Sequence, residues 1–117
     1  MKNFPDSFYA SVFRGAPIGL AISDGQGFVV DANDYLLELG GWKREELEGM
    51  SASDFYVDGP EVRRAILDSM RNHGMLTDHG VRVGRKDGST FLATMSARPL
   101  IIGDAHHIVV TIRKVDT

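Results

Sequence analysis

The stretch from Gly25 to Met50, GQGFVVDANDYLLELGGWKREELEGM, constrains this 117-residue chain more than any other. It holds, in order, a glycine turn, a short apolar strand, an asparagine, a short helix, a Gly-Gly break and a second short helix. Asp24-Gly25-Gln26-Gly27 supplies the glycines that a tight turn needs at positive φ. Through that turn, Phe28 to Ala32 pairs with a segment in which Ile18, Leu20 and Ile22 alternate with Gly19, Ala21 and Ser23, a strand period. Asn33 is a favourable N-cap, and Asp34 places a negative charge in the first turn, where the helix dipole welcomes it. Tyr35, Leu36 and Leu39 form the buried side of a helix that Gly40-Gly41 ends. Glu45 and Glu46 open the next helix, with Leu47 as its anchor, and residues 51–57 carry Phe55 and Tyr56 in a further single turn.

Downstream, Asp58-Gly59-Pro60-Glu61 reads as a helix start, with a capping acid, a proline in the first turn and a glutamate three residues after the cap. Val62, Ala65, Ile66, Ser69 and Met70 share one face of this helix, the longest in the chain, and Gly74 closes it. From Met75 the period becomes two. Val81 and Val83 flank Arg82, an Asp87-Gly88 turn follows, and Phe91, Ala93, Met95 and Ala97 alternate with Leu92, Thr94, Ser96 and Arg98. Pro99 is expected to weaken that strand's end or to place a bulge there. Gly103-Asp104 makes the last turn before Ile108, Val110 and Ile112. Upstream of everything, residues 1–14 form a short flanking amphipathic helix, capped by Asp6 or Ser7 after Pro5 and ended by Gly15 and Pro17. Its Phe8, Tyr9, Val12 and Phe13 make one face strongly aromatic, and so short a helix must bury that face. It packs on its own sheet or against a second copy of the chain, and both can hold together.

The order is therefore strand, strand, three or four helices, strand, strand, strand. Hairpins join the strands within each group, which gives an α+β fold with an antiparallel sheet and helices on one face. The last strand completes the sheet by lying beside the first, because those edges would otherwise stay unpaired. A 43% apolar, 25% charged composition is ordinary for a globular domain. A net charge of −3 with mixed signs argues against a nucleic-acid partner. No apolar run approaches the roughly 20 residues of a membrane helix, and the N-terminus lacks the apolar core of a secretory signal, so direct membrane insertion is not expected and a cytoplasmic location is. The chain stops soon after its last strand, as a module cut from a larger protein would.

This arrangement resembles the PAS domain, the sensory-box module of bacterial signalling proteins, from about Phe13 to Val115. The specific match is Val29-Val30, Asn33, Leu36, Gly40 or Gly41, Trp42, Glu45-Glu46-Leu47 and Gly49, together with the Arg85-Lys86-Asp87-Gly88-Ser89 hairpin. The resemblance implies a flanking helix over residues 1–14 and a PAS domain over 15–117, with five strands in the order 2-1-5-4-3. It also implies a cavity between the sheet and the long helix. Three features depart from the family pattern. Lys43 stands where a serine usually caps the second short helix, so that cap is lost. Val57-Asp58-Gly59-Pro60 replaces a histidine-proline-acid step. The closing aspartate-isoleucine-threonine signal, which couples the last strand to an output helix, appears only as Arg113-Lys114-Val115-Asp116-Thr117.

What the resemblance implies for function is sensing rather than catalysis, and no catalytic constellation is visible in the residues. The module would belong to a sensor histidine kinase or, next, a diguanylate cyclase. It would sense a small molecule or redox state and pass the change on by shifting between two packing states within a homodimer. The alternative is a ligand-free dimerisation module, with Phe8, Tyr9, Val12 and Phe13 as the interface. Candidate pocket walls are Ile66, Met70, Val81, Phe91 and Met95, with His79, Thr94 or Ser96 as a polar contact. No cofactor is obligatory. Zero cysteines exclude a cysteinyl-flavin adduct and a thioester-linked chromophore, while noncovalent flavin stays open. For haem the candidate ligand is His73 at the end of the long helix, where a histidine more commonly just caps the last turn. His106 and His107 are neighbours on a strand and point to opposite faces, so they cannot chelate one metal.

Overall fold

The structure is a computed structural model and describes residues 5–115; residues 1–4 of the flanking segment and 116–117 of the closing segment lie outside it. Five strands, β1 (Gly19–Asp24), β2 (Val29–Ala32), β3 (Leu76–Gly84), β4 (Thr90–Ile102) and β5 (Ala105–Lys114), form one sheet in the order β2-β1-β5-β4-β3. Every pairing is antiparallel. Helices α1 (Asp6–Gly15), α2 (Asp34–Gly40), α3 (Arg44–Leu47) and α4 (Gly59–His73), with a 3-10 turn at Ala52–Phe55, complete the fold. The expected strand order and α+β class are those observed.

Strand parity sets the core. Val81, Val83, Phe91, Ala93, Met95, Ala97 and Ile112 are buried on the face that α4 covers through Val62. The alternate residues Leu92, Thr94 and Ser96 stand on the opposite face. Pro99 neither ends β4 nor bulges it, since the strand runs on to Ile102 and pairs with β5 throughout. The reason is positional: β3 ends opposite Ala97, so beyond that point β4 has an open side where a missing N–H costs nothing.

Asn33 is fully buried and joins the start of β1 to α2. Its Oδ1 accepts from the N–H groups of Leu20 (3.0 Å) and Leu36 (3.1 Å), and its Nδ2 donates to the Ile18 carbonyl (2.8 Å). One side chain thus caps α2 and fastens it to the start of β1. At α3 the lost serine cap is half replaced, because the Glu46 carboxylate accepts the Lys43 N–H at 2.9 Å. Glu46 also pairs with Lys86 of the β3–β4 turn. That turn folds over the end of α2: the Arg85 side chain donates to the Leu39 carbonyl (3.1 Å), the Lys86 N–H to the Gly40 carbonyl (2.9 Å), and the guanidinium of Arg85 stacks on Phe91. The two most recognisable stretches of the sequence therefore meet in space.

At α4, Asp58 occupies the N-cap position but its side chain makes no cap bond, and Gly59 carries the start instead. A Cβ on Gly59 would lie 2.2 Å from the Ser53 carbonyl oxygen, so only glycine lets α4 begin this close to the 3-10 turn. Helix α1 starts after Pro5 with no side-chain cap. It lies chiefly beside α2 rather than across the sheet, tied by Arg14 to Asp31 at 3.4 Å. Asp31 also binds Arg44 (3.2 Å), which bonds Asp34 in turn (2.8 Å). None of the residues of α1 is buried, and Phe8, Tyr9 and Val12 are among the chain's exposed large apolar side chains.

Candidate functional site

The inward residues of β1 are small: Gly19, Ala21 and Ser23. Gly19 is met by Leu36 of α2, but toward α4 Ala21 and Ser23 leave space that larger side chains would fill. Two cavities occupy it. The outer one, about 80 Å³, lies between α4 (Val62, Arg63, Ile66, Leu67), β1 and its turn, and Ile108 and Val110 of β5. The inner one, about 60 Å³, lies under α2 and α3 among Leu36, Trp42, Leu47, Phe55, Val83, Phe91 and Ile112. Ala21, Val29, Ala52, Tyr56 and Val110 line both. The two adjoin as neighbouring lobes, with Tyr56 among their shared walls. At roughly 10–15 Å³ for each water-sized group, the outer lobe holds a handful and the inner slightly fewer.

Polar groups in this lining are few. Burial drives the phenol pKa of Tyr56 upward, so it is neutral at any physiological pH and offers both a donor and an acceptor. Trp42 packs edge-on to Phe55, with ring centroids 5.5 Å apart, and its indole N–H is buried without a partner. A Cβ on Gly40 would sit 2.6 Å from the Trp42 Cδ1, which is why the ring can lie there. Arg63 lines the outer lobe yet is exposed, which puts it where the lobe meets water, and its Nη1 lies over Gly27. Asp24 is at the same mouth. Its Oδ1 accepts from Gln26 (2.9 Å) and Phe28 (3.0 Å), and these backbone bonds, that from Phe28 first, hold its carboxyl below the usual range.

Of the residues singled out in the sequence, Ile66 lines the outer lobe and Phe91 the inner one. Met70 packs at the edge of the core, and Met95 is fully buried within it. Neither is among the residues lining the lobes. His79, Val81 and Thr94 line a separate open groove where the start of α4 crosses β3 and β4. Thr94 and Ser96 project from the sheet face away from α4, and the Ser96 hydroxyl accepts from the Asp78 N–H at 3.0 Å. His73 is exposed at the end of α4, before the left-handed Gly74, and lines neither lobe. Phe8, Tyr9 and Val12 stand at the surface with Phe13 half-buried beside them. Sequence reasoning missed Ala21, Trp42, Tyr56 and Arg63. The signal that could have found the space is the run of small inward residues on β1 facing the long helix. Among the described residues no three His, Asp or Glu side chains gather as a metal site, and no helix is long and apolar enough to cross a membrane.

The model of the PAS fold family matches residues 7–115. Among solved structures, the chain is similar to the PAS domain of a protein from Colwellia psychrerythraea, at 20% identity over 93% of this chain and 95% of that one, with a TM-score of 0.85. A PAS domain from a two-component sensor histidine kinase matches at 20% identity over 93% and 95%, TM-score 0.81. The PAS domain of a LuxR-family transcriptional regulator from Burkholderia thailandensis, in complex with ethanol, matches at 28% identity over 93% and 98%, TM-score 0.77. No curated protein matches the chain.

Proposed function

Because this chain belongs to the PAS family, we propose that it is the sensory module of a larger bacterial signalling protein and that its signal is a small molecule held in the two-lobed space beside α4. The observation that carries this is the apolar space itself, which lies behind small β1 residues and has a neutral tyrosine in the wall its two lobes share. A well-packed interior has few voids larger than a water. Two adjoining ones with shared walls, one opening beside an exposed arginine, fit a ligand site better than a filled core. The neighbour from Burkholderia thailandensis, which holds ethanol, supports a ligand of that small scale. Lobes of this size favour such a molecule over a bulky ring system, so haem and flavin are not part of the proposal.

The parent protein is a cytoplasmic or membrane-anchored sensor histidine kinase or, next, a diguanylate cyclase, and the domain itself performs no chemistry. Ligand occupancy moves α4 and Tyr56 against β1 and β5, and the change reaches the partner copy and the effector through dimer packing. Thermal melts in the presence of short alcohols and acids, together with denaturing mass spectrometry of the domain as purified, test the sensing claim. A released small molecule or a concentration-dependent rise in Tm is expected. A protein that releases nothing and melts unchanged would leave the second reading, a ligand-free dimerisation module. That reading is favoured by the exposed Phe8, Tyr9 and Val12 of α1. Sedimentation of a chain lacking residues 1–14 decides whether α1 is the interface: monomers are expected, and an unchanged dimer would rule it out.

A further inference from the structure

The mouth of the outer lobe narrows the chemistry of what enters it. Arg63 is exposed, lies in the lining, and pairs with no carboxylate among the described residues. Its guanidinium rests across Gly27, whose backbone is held at φ +90 and where a Cβ would come within 2.6 Å of Nη1. The positive φ favours glycine in this turn, and its missing side chain leaves the guanidinium room to lie there. Behind Arg63 the walls are Val62, Ile66, Val29, Ala21 and Val110, and the polar atoms beyond them belong to neutral side chains, Tyr56 and Trp42. The gradient runs from an entrance that carries the Arg63 cation and the Asp24 carboxylate to an uncharged apolar interior. Asp24 is the opposing charge at the mouth, but its Oδ1 is already bonded to two backbone N–H groups.

We propose that the ligand is a short-chain carboxylic acid in its anionic form. Its carboxylate seats on the Arg63 guanidinium and its alkyl chain passes Tyr56 toward the inner lobe. This rests on the ligand-sensing reading above and adds the class of molecule. A planar guanidinium binds a carboxylate through two parallel N–H donors, a geometry that neither an alcohol nor an amine reproduces. The apolar chain contributes by burial and meets only neutral groups. The length that fits is limited by the two lobes, about 80 and 60 Å³.

Isothermal titration of the 117-residue chain with hexanoate, hexan-1-ol and hexylammonium separates the possibilities. Hexanoate is expected to bind tightest, and Arg63→Gln to weaken it roughly tenfold while leaving hexan-1-ol unchanged. Arg63→Lys, which keeps the charge without the fork, should fall between. Equal binding of hexan-1-ol and hexanoate, both indifferent to Arg63→Gln, would overturn the carboxylate and leave the sensing reading standing. Tightest binding by hexylammonium would overturn it too, and would assign the mouth to Asp24. Binding by none of the three at millimolar concentration would overturn both the class and the reading it rests on.

Discussion

Asn33 and Tyr56 each lie at the junction of several segments, and their surroundings are opposite in character. Around Asn33 every side-chain atom able to bond does so, with three bonds of 2.8–3.1 Å tying β1 to α2. At the other end of α2, the Glu46–Lys86 pair and the Arg85 and Lys86 bonds to that helix close the β3–β4 turn down on it. Tyr56 lines both cavities together with Ala21, Val29, Ala52 and Val110, so space remains beside it. The polar junction allows one arrangement, because each alternative leaves buried groups unbonded. The apolar space allows several, because no directional bond is lost when α4 shifts. In a sensing domain the first is the frame and the second is the part that can respond.

The contrast is broken most severely at Asn33. Asn33→Ala removes the α2 cap and strands two N–H groups and a carbonyl in the interior, a loss of about 3–5 kcal/mol that consumes much of the stability of a small domain. Asn33→Asp keeps both accepting bonds but turns the Nδ2 donor into an oxygen facing the Ile18 carbonyl, so urea melts should place it between wild type and alanine. Gly59→Ala comes next. The obstacle is the backbone carbonyl of Ser53 rather than a flexible side chain, so α4 must move, at about 2–3 kcal/mol. Wild-type stability in the Gly59→Ala protein would mean that α4 and the 3-10 turn are not locked together.

How much of this was legible beforehand varies with the physics of each part. Asn33 and the Asp87-Gly88 hairpin were readable because caps and turns are local, and each demands particular residues within a few positions. The antiparallel hairpins followed from alternation and turn spacing, and the strand order from the family resemblance. The cavity was misplaced toward Met70, Val81 and Met95 because periodicity says which face a residue takes, not whether the opposite wall is large enough to meet it. Tyr56 was read only as part of a single turn, and Arg63 lies off the apolar stripe of the long helix. Their importance comes from α4 and β1 lining one cavity, although they are distant in sequence. The half-retained cap at Lys43 was likewise invisible, since Glu46 supplies it from within the helix.

The same substitution made in the two environments sharpens the comparison. Ala21→Val places a β-branched residue on a strand, into empty space, and should stabilise by roughly 0.5–1 kcal/mol while abolishing ligand binding. Ala97→Val enters a site with no exposed surface and should cost about 1–3 kcal/mol. Equal destabilisation by both would mean that β1 is packed as tightly as β4. The smallest effect is electrostatic. Asp87 is held below its ordinary value of 3.8 by the Ser89 hydroxyl and N–H, and Glu46 below 4.5 chiefly by Lys86. A carboxyl whose folded pKa is lowered adds stability above its unfolded pKa and loses it as pH falls through the folded value. Stability should therefore be level near neutrality and decline below about pH 4, with a shallower decline in Asp87→Asn. An equally steep decline in that variant would remove Asp87 from the account.

The most direct test of the central claim is a ¹H–¹⁵N correlation spectrum of the domain titrated with hexanoate. Shifts are expected at Ala21, Ser23, Tyr56, Ile66 and Val110, with Leu20, whose N–H bonds Asn33, staying in place. Shifts confined to the outer sheet face around Leu92 and Thr94, or none at saturating ligand, would contradict a responsive cavity set in a fixed frame.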